Sequence, residues 1–204
     1  MIKVTRKTSE STMQVILSEG PVKKDYRSKI KTPLPFLNHM IEQVVWRSNF
    51  NIEAEVNLTD FCLAHLVTED LGQALGKAFA RLLEKTDSVP GFGDGFGMID
   101  EAMAHTLISF ESRSYFAFHP NVKVPENVEG MASEELLVFL DAFCQGANCT
   151  MQIDLVRGEN THHIWEAVFR SVGIAIKQAF MVDSTRLGMT SGVAGKVTFE
   201  IEEL

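Results

Sequence analysis

A chain of 204 residues with a formal net charge of −8 has room for one domain, or for two small domains packed closely together. Its hydrophobic content of 45% and charged content of 23% are typical of globular proteins. The acidity gives no electrostatic support for binding nucleic acid or an anionic membrane surface. No apolar run approaches the roughly 20 residues needed to span a bilayer, and residues 1–11 lack the apolar core of a signal peptide. We therefore expect a cytoplasmic protein that binds neither nucleic acid nor membrane.

The first half of the chain alternates strand patterns with helix patterns. Apolar and polar residues alternate in the predicted strands, as they do where one sheet face is buried. Pro33 and Pro35 precede the first helix, where apolar residues recur at helical spacing. In chain order, the predictions are strands Ile2–Thr8 and Met13–Ser18, a helix Phe36–Ser48, a strand Asn51–Leu58 and a helix Ala64–Lys85.

The second half follows a glycine-rich stretch, Ser88–Gly97, which contains four glycines and one proline. This composition predicts a loop and a boundary between two halves of the chain. The remaining predictions are one or two strands in Ala104–Phe118, a helix Ser133–Gln145, a strand Cys149–Val156, a helix His162–Met181 and a closing strand Lys196–Glu202.

The two halves share a weak internal repeat at an offset of 97 positions. The repeat pairs Leu58 with Leu155, His65 with His162 and Glu69 with Glu166. The same residues therefore recur in the same strand–loop–helix context. We predict an α/β fold in which two βαβα-like halves, residues 1–90 and 91–204, form one compact unit with helices packed on sheets.

Two histidine–glutamate pairs indicate a metal site. His65 and Glu69, like His162 and Glu166, are four positions apart, so on a helix each pair lies on one face and can reach one divalent cation. A single pair of this kind is more often a solvated ion pair, but two pairs at equivalent positions favour metal binding. Adjacent His163 points about 100° away from His162. It therefore serves a different metal or reaches a neighbouring subunit.

Other histidines and the cysteines carry no such context. His105 and His119 are interpreted as structural. The three cysteines, Cys62, Cys144 and Cys149, are odd in number, widely spaced and set among apolar neighbours. We expect buried, reduced thiols, since nothing in the sequence indicates export.

Five segments share the order and spacing of the motifs of a known family. They are Arg6-Lys-Thr8-Ser-Glu10-Ser11, Phe36-Leu-Asn38-His39-Met-Ile41, Ala64-His65-Leu66-Val-Thr-Glu69-Asp70, Ile99-Asp100-Glu101-Ala102 and Gly158-Glu-Asn160-Thr-His162-His163-Ile-Trp-Glu166-Ala-Val-Phe169-Arg170. The chain resembles the imidazoleglycerol-phosphate dehydratases. Their motifs read Arg-x-Thr-x-Glu-Thr, Phe-Leu-Asp-His-Met-Leu, His-His-x-x-Glu-Asp, Met-Asp-Glu-Ala and Gly-x-Asn-x-His-His-x-x-Glu-Ala-x-Phe-Lys. Agreement extends over residues 2–181, and the combination is specific although no single motif is.

The resemblance implies both a fold and an activity. The family has two fused halves of the ribosomal protein S5 domain 2-like fold, assembles into a shell of 24 subunits and builds di-manganese sites between subunits. It removes water from imidazole glycerol phosphate in histidine biosynthesis. The implied metal ligands are His39, His65, Glu69, His162, His163 and Glu166. The implied proton-transfer residues are Glu10 and Glu166, and the implied substrate-binding residues are Gln43, Arg113 and Ser191.

The chain departs from the family at several functional positions. Leu66 and Gln152 replace histidines, as does Arg47, and Asn38 replaces an aspartate. Gly91 stands where an arginine helps to bind phosphate in the family. The segment Thr190–Ala194, which includes Val193, lacks the lysine of the family's Pro-Ser-Thr-Lys-Gly signature.

These departures predict one good metal site, with Mn²⁺ as the expected ion, and one weak or empty site. Leucine cannot ligate a metal, and glutamine is a poor substitute for imidazole. The expected complete set, with the last ligand from the same or a neighbouring subunit, is His39, His65, Glu69 and His163. The depleted set pairs His162 and Glu166 with Leu66 and Gln152.

Three hypotheses about function follow from the sequence. The chain is a dehydratase acting on imidazole glycerol phosphate or a related substrate, or it carries out different chemistry in the same site. Alternatively, it is a catalytically silent paralogue that keeps the oligomeric shell and one metal site. The lost ligands and cations favour altered activity. Retention of Glu10, Gln43, Arg113 and both histidine–glutamate pairs favours a working enzyme.

Overall fold

The first half of the chain forms a four-stranded sheet with two helices packed on it. These features come from a computed structural model, which describes residues 1–203. The strand order is β1-β2-β4-β3, antiparallel except where β3 runs parallel to β4. The elements are β1 (Ile2–Lys7), β2 (Ser11–Glu19), β3 (Ile30–Lys31), α1 (Pro35–Ser48), β4 (Phe50–Leu58) and α2 (Ala64–Leu83).

The second half forms a sheet of the same topology. Its strand order is β5-β6-β10-β7, antiparallel except where β7 runs parallel to β10. The elements are β5 (Phe92–Ile99), β6 (Ala102–Ser109), β7 (Tyr115–Pro120), a small hairpin of β8 (Asn127–Val128) and β9 (Met131–Ala132), α3 (Ser133–Ala147), β10 (Thr150–Arg157) and α4 (Thr161–Ala179).

The helices lie between the two sheets and enclose the core. Helices α1 and α2 pack on the first sheet, α3 and α4 pack on the second, and the pairs α1/α4 and α2/α3 pack against each other. Trp165, Phe79 and Phe169 are among the largest fully buried side chains of this core. No helix of the described residues is long and apolar enough to cross a membrane.

The predicted fold class and internal repeat are confirmed. Helix α2 begins at Ala64 and α4 at Thr161, so His65 and His162 are each the second residue of their helix. Each helix follows a central strand of its sheet, β4 or β10. The two halves therefore place their histidine–glutamate pairs at equivalent helix N-termini. The division at residue 90 remains a prediction.

The predicted loop Ser88–Gly97 is wrong in its second part, because β5 begins at Phe92. The alternate glycines that suggested a loop lie on the face of β5 that packs against α4. A Cβ atom on Gly97 would lie 2.1 Å from the carbonyl oxygen of Ala167, and one on Gly93 would lie 1.8 Å from that of Ala175. Glycine here permits close strand–helix packing, which local turn statistics do not reveal.

The predicted closing strand Lys196–Glu202 is also wrong, since this segment has no regular secondary structure. Its alternation leaves the apolar side chains Val197, Phe199 and Ile201 exposed. An alternating pattern gives a strand only where a sheet edge pairs with it, and neither sheet of the described chain does so. Of the one or two strands predicted in Ala104–Phe118, the structure has two, β6 and β7.

The cysteines are free thiols, as expected, but one of them is not buried. Cys144 and Cys149 are buried, and contact with the Cys149 thiol, together with burial, raises the pKa of the Cys144 thiol. Cys62 is exposed, in the loop between β4 and α2. Its apolar neighbours in sequence, Phe61 and Leu63, are exposed as well. The prediction that Cys62 is buried, which rested on these neighbours, is therefore wrong.

Candidate metal centre

The N-terminus of α4 presents two histidines in different directions. The side chain of Asn160 caps the helix by accepting hydrogen bonds from the backbone N–H groups of His162 and His163. The two rings are nearly perpendicular, at 88°, as the helical step of about 100° requires. They therefore enter separate clusters of side chains, as the sequence predicted.

His162 joins His39 and Glu166 in a half-buried cluster between α1 and α4. The Nε2 atoms of both histidines lie 3.3 Å from the same oxygen, Oε2 of Glu166. One ligand atom from each residue lies within 4.8 Å of the others. Two imidazole nitrogens and one carboxylate oxygen suit manganese, zinc or iron. The donor set therefore fits a divalent cation.

The other nitrogen of each histidine faces a second carboxylate. Nδ1 of His39 lies 3.4 Å from Oε2 of Glu42, and Nδ1 of His162 lies 3.1 Å from Oε1 of Glu129. In metal sites, a carboxylate on one ring nitrogen fixes the tautomer and leaves the other nitrogen free to ligate. In both rings, Nε2 is therefore the nitrogen that faces the candidate metal site.

Close packing of α1 on α4 brings these groups together. His39 and Gln43 lie one turn apart on α1, facing Glu166 and Arg170, one turn apart on α4. Gly173 allows the approach, since a Cβ atom there would lie 2.8 Å from Cβ of Arg47. The periodicity of apolar residues predicts each helix separately. It does not predict how α1 and α4 cross, because the crossing depends on side-chain packing between them.

Glu166 is buried yet charged. Burial by itself would raise the pKa of its carboxyl, but the positive charge of Arg170 and the hydrogen bond with His39 outweigh this effect and lower the pKa. The guanidinium of Arg170 contacts Oε1 of Glu166. Glu166 is therefore an anion that can bind a cation.

His163 lies in a second cluster with the turn between β5 and β6. Its Nδ1 atom lies 2.8 Å from Oε2 of Glu101, and its Nε2 atom lies 3.9 Å from Oδ2 of Asp100. Glu101 also accepts a hydrogen bond from the backbone N–H of Asn160. This bond, together with the hydrogen bond to His163, lowers the pKa of the Glu101 carboxyl to about 2. The hydrogen bond with Glu101 raises the pKa of His163.

Helix α2 carries a third, more exposed pair. His65 places Nε2 3.9 Å from Oε2 of Glu69 and Nδ1 3.3 Å from Oε2 of Glu135 on α3. The same oxygen of Glu135 accepts a hydrogen bond from Thr68. This pair repeats the arrangement seen at His39, with one nitrogen held by a glutamate. The pair offers two possible donor groups, fewer than the three of the His39 cluster.

Within one chain, the structure groups the predicted ligands differently from the sequence analysis. His39 lies with His162 and Glu166, and not with His65 and Glu69 as predicted. His163 belongs to neither of these groups. Neither of the two predicted sets therefore converges within the described residues of one chain, and each would need a neighbouring copy of the chain.

The two lost histidine positions also lie apart. Gln152 is exposed on the outer face of the second sheet, because β10 turns Met151 and Ile153 toward the helices. Leu66 packs against the core from α2. Neither position lies beside His162 and Glu166 in the same chain, since a strand sends alternate side chains to opposite faces.

The predicted proton-transfer and substrate-binding residues are dispersed. Glu10 is exposed at the turn between β1 and β2, and no hydrogen bond or ion pair among the described residues joins its side chain to the clusters. Gln43 accepts a hydrogen bond from Arg170, at 3.1 Å. Arg113 is exposed, with its guanidinium 3.9 Å from Glu111, and Ser191 donates to the carbonyl of Phe110.

Gly91 and Ser191 occupy one small space. Gly91 has a φ of +64°, and a Cβ atom on it would lie 2.2 Å from Cβ of Ser191. Its N–H donates to Ala179 and its carbonyl accepts from Phe110. A side chain at position 91 would therefore be strained and would displace Ser191.

The sequence analysis assigned no role to several residues of these clusters. Asp100 and Glu101 appeared only within a motif. The helical pattern of apolar residues did not predict that Glu42 and Glu135 contact histidines. A local signal exists for Glu42, which is three positions after His39 on one helix face. Glu129 and Glu135 come from other elements, so their contacts depend on the tertiary fold.

The family to which these residues point is shown by sequence comparison. A model of the imidazoleglycerol-phosphate dehydratase family matches residues 32–176, which include both clusters on α4. The chain belongs to the imidazoleglycerol-phosphate dehydratase family. It is 31% identical to the dehydratase of Acidithiobacillus ferrooxidans over 96% of both chains. It is 33% identical to that of Staphylococcus saprophyticus over 92% of this chain and 96% of the relative.

Solved dehydratase structures have the same fold. The Staphylococcus aureus enzyme superimposes with a TM-score of 0.75 at 24% identity, covering 89% of this chain and 100% of the other. The Pyrococcus furiosus enzyme, solved in complex with (S)-C348, gives 0.76 at 24% identity, covering 95% and 99%. The two-sheet architecture is therefore that of the family.

Proposed function

We propose that this chain is a metal-dependent dehydratase that removes water from imidazole glycerol phosphate, or from a related substrate, in histidine biosynthesis. The relatives that it matches over most of their length are named for this reaction. The observation that carries the proposal is the convergence of His39, His162 and Glu166 with both imidazole Nε2 atoms directed at one carboxylate oxygen.

The ion that we propose for this cluster is Mn²⁺. Three protein donors leave coordination positions for a substrate imidazole, and the mixed nitrogen and oxygen set suits this metal. When bound, the ion supplies Lewis acidity that polarises the imidazole ring and lowers the cost of losing a proton from the neighbouring carbon. His39 and His162 would hold the ion in place and so fix where the substrate ring binds.

Carboxylates supply the proton-transfer groups in this proposal. Glu166 is deprotonated at the cluster, but its lowered pKa makes it a weak proton acceptor, so its main part in this proposal is to hold the ion, and proton transfer falls chiefly to Glu10. Glu10 lies at the turn before β2, one residue from Ser11, whose hydroxyl donates to Asp70 on α2 at 2.8 Å. It is therefore on the α2 side of the molecule, and it would act at the cluster of a neighbouring copy.

A complete site at α2 needs a second copy of the chain. His65 and Glu69 offer two donors, and Leu66 supplies none where the family has a histidine. His163 faces outward in its own cluster, available to a neighbour. We propose one well-occupied Mn²⁺ site per chain, at His39, His162 and Glu166, which reverses the expectation from the sequence that the set containing His162 and Glu166 is the depleted one. We propose that the site at α2 is weak because Leu66 cannot replace imidazole.

The outer face of the second sheet supports a homo-oligomer, which we propose to be a large shell of the 24-subunit type. The face carries exposed apolar side chains, with Phe96 56% and Met98 63% exposed. Its other large apolar members are Phe92, Leu107 and Tyr115. Exposed apolar patches of this kind mark protein interfaces. We place the enzyme in the cytoplasm, in keeping with three free thiols.

Binding of the substrate phosphate is expected to be weak. Gly91 and Val193 stand where the family has cations, and Arg113 is the cation that remains among the predicted substrate-binding residues. A charged hydrogen bond contributes about 1.5–3 kcal/mol, so two losses reduce affinity by roughly two orders of magnitude or more. This observation favours the second candidate, a silent paralogue that keeps one metal site, over a dehydratase of unaltered specificity.

A dehydration assay decides between these candidates. The metal-stripped protein is incubated with imidazole glycerol phosphate, with and without MnCl₂, and formation of the ketone product is followed. The dehydratase proposal predicts turnover that requires Mn²⁺ and is lost in Glu166→Gln, with a high KM. Absence of turnover at saturating substrate and metal contradicts the dehydratase and supports the silent paralogue.

A further inference from the structure

Strand β1 lies at the edge of the first sheet, and only one of its two sides is paired. It pairs with β2 along Ile2–Lys7, in a register without a bulge. On its other side, no backbone hydrogen bond joins residues 2–7 to another segment within residues 1–203. An unpaired edge of this kind is a template for a further strand, so native proteins usually cover or disrupt it.

A groove runs beside the free side of β1, where the strand passes α2 and the C-terminal end of α3. The cavity has a volume of about 470 Å³. Val4 and Ala74 contribute apolar lining, and Gln73, Lys77 and Gln145 contribute long polar side chains. A strand added to β1 would direct every second side chain into this groove, because side chains alternate along a strand. The groove therefore fits an extended segment that is apolar on one face.

The segment Lys196–Glu202 has this pattern. Its apolar residues Val197, Phe199 and Ile201 alternate with polar residues. Phe199 and Ile201 are each 87% exposed, and the segment pairs with neither sheet of the described chain. Burial of large apolar side chains is favourable by roughly 1.5–3 kcal/mol each. The segment thus has an apolar face that its own chain leaves in solvent.

Charge complementarity joins this segment to β1. The exposed face of β1 carries Lys3, Thr5 and Lys7, whereas the polar face of the segment carries Glu200 and Glu202. If Glu200 lies opposite Thr5, it is diagonal to both lysines whichever way the strand runs. Glu202 then lies opposite one of them. Opposite charges on neighbouring strands stabilise their pairing.

The other sheet edges fit the segment less well. Strand β3 has only two residues, too few to hold it. Strand β5 carries Asp94 on its exposed face, which would repel the glutamates, and it has no lysine or arginine. Strand β7 also lacks a lysine or arginine, and it ends at Pro120, which has no N–H to donate. The edge of β1 is therefore the one with matching charge.

We propose that Lys196–Glu202 of one copy of the chain adds to the free edge of β1 in a second copy, as the fifth strand of its first sheet. The apolar face enters the groove and the glutamates face the lysines. Strand addition of this kind is a recurrent mode of recognition. The occupant comes from a second copy because the single chain leaves both the edge and the segment unpaired. The inference needs neither the metal nor the substrate of the proposed function.

A disulfide between positions 5 and 200 tests the pairing. Thr5→Cys and Glu200→Cys are introduced together in the full chain, with exposed Cys62 replaced by serine. Residues opposite each other on antiparallel strands are about 4.5–5.5 Å apart at Cα, within the range of a disulfide. After mild oxidation, electrophoresis without reductant should show most of the protein as covalently linked dimers and larger species.

The matched control replaces Thr5→Cys by Glu55→Cys. Glu55 is exposed on β4, which has a paired strand on each side, so a further strand cannot lie beside it. We expect little cross-linking in this control. Equal yields in the two proteins would overturn the inference, because they would show random encounters of the segment. A disulfide formed within one chain would also overturn it, since the occupant would then be the chain's own segment.

Reversal of charge tests the complementarity. Lys3→Glu with Lys7→Glu, added to the cross-linking protein, should lower the yield roughly fivefold or more, and Glu202→Lys should restore part of it. Phe199→Ser should lower the yield as well, because it removes an apolar side chain from the groove. This variant changes an exposed residue, so it remains usable if the lysine variants fail to fold. A yield that none of these changes alters would contradict the proposed pairing.

Discussion

His39 and Glu166 are 127 residues apart in sequence, yet Nε2 of the first lies 3.3 Å from Oε2 of the second. One residue belongs to the first repeat of the fold and the other belongs to the second. Their contact therefore exists only when α1 and α4 pack together, and it links the candidate metal site to the assembly of the two halves.

Substitution of His39 by alanine should weaken Mn²⁺ binding by more than tenfold. The change removes one of three protein donors, and loss of a group that merely supports a ligand already costs roughly 10–100-fold. The measurement is calorimetric titration of the metal-stripped protein. His119→Ala is the matched control, since His119 is exposed at the end of β7 and belongs to no metal cluster of the described residues. Equal affinities in the two variants would contradict the assignment.

Removal of the carboxylate on the far side of the His39 ring should also weaken the site. Glu42→Ala leaves Nδ1 of His39 without its partner, so the ring is free to rotate or change tautomer. We expect Mn²⁺ affinity to fall roughly 10–100-fold. Glu53→Ala serves as control because it removes a glutamate from a surface salt bridge with Lys23. An affinity in Glu42→Ala as high as in this control would exclude an orienting role.

Close packing of β5 on α4 predicts a large effect of a single methyl group. A Cβ atom on Gly97 would lie 2.1 Å from the backbone oxygen of Ala167, and neither backbone can move independently. Gly97→Ala should lower the free energy of unfolding by about 3 kcal/mol, measured by urea denaturation. Gly130→Ala, at a φ of +77° but in open space, isolates the backbone strain, about 1–2 kcal/mol. A smaller loss at Gly97 than at Gly130 would show that the packing is looser than described.

The outer face of the second sheet predicts the behaviour of the protein in solution. Phe96 lies on the edge strand β5, stacked on His105 of β6 with ring centroids 4.1 Å apart. A charge there opposes burial at an interface, so Phe96→Glu should shift sedimentation toward smaller species. Phe61→Glu changes a more exposed phenylalanine outside the sheet and should leave the assembly intact. If the wild type sediments as a monomer, or if Phe96→Glu does not alter its assembly, the proposed interface is wrong.

The elements of the fold were largely readable from local patterns. Alternation predicted β1, β2, β4 and β10, and helical spacing predicted all four helices, because burial of one face imposes a period on each element. Strand β5 was missed because its buried face consists of glycines, so its sequence lacks the alternation of apolar and polar side chains that predicts a strand. The segment Lys196–Glu202 failed for the opposite reason, since its pattern is regular but no strand of the same chain pairs with it.

The sequence predicted which residues belong to the candidate site, but not how these residues are arranged around it. Spacing of four on a helix correctly paired His162 with Glu166, and the helical step correctly separated His162 from His163. The set of His39, His65 and Glu69 depends on which helices meet. Within one chain His39 lies beside α4, so a set shared between copies of the chain stays a prediction. Glu129 and Glu135 were not identified, because their contacts with His162 and His65 join different elements and leave no periodic pattern in the sequence.

Anomalous diffraction at the manganese absorption edge, from crystals of the full chain grown with MnCl₂, tests the metal centre most directly. We expect a peak bonded to Nε2 of His39, Nε2 of His162 and Oε2 of Glu166, and we expect it to be absent from crystals of His39→Ala. No peak at these three atoms, or an ion bound elsewhere while the dehydration assay shows full activity, would contradict the assignment of this cluster as the catalytic metal site.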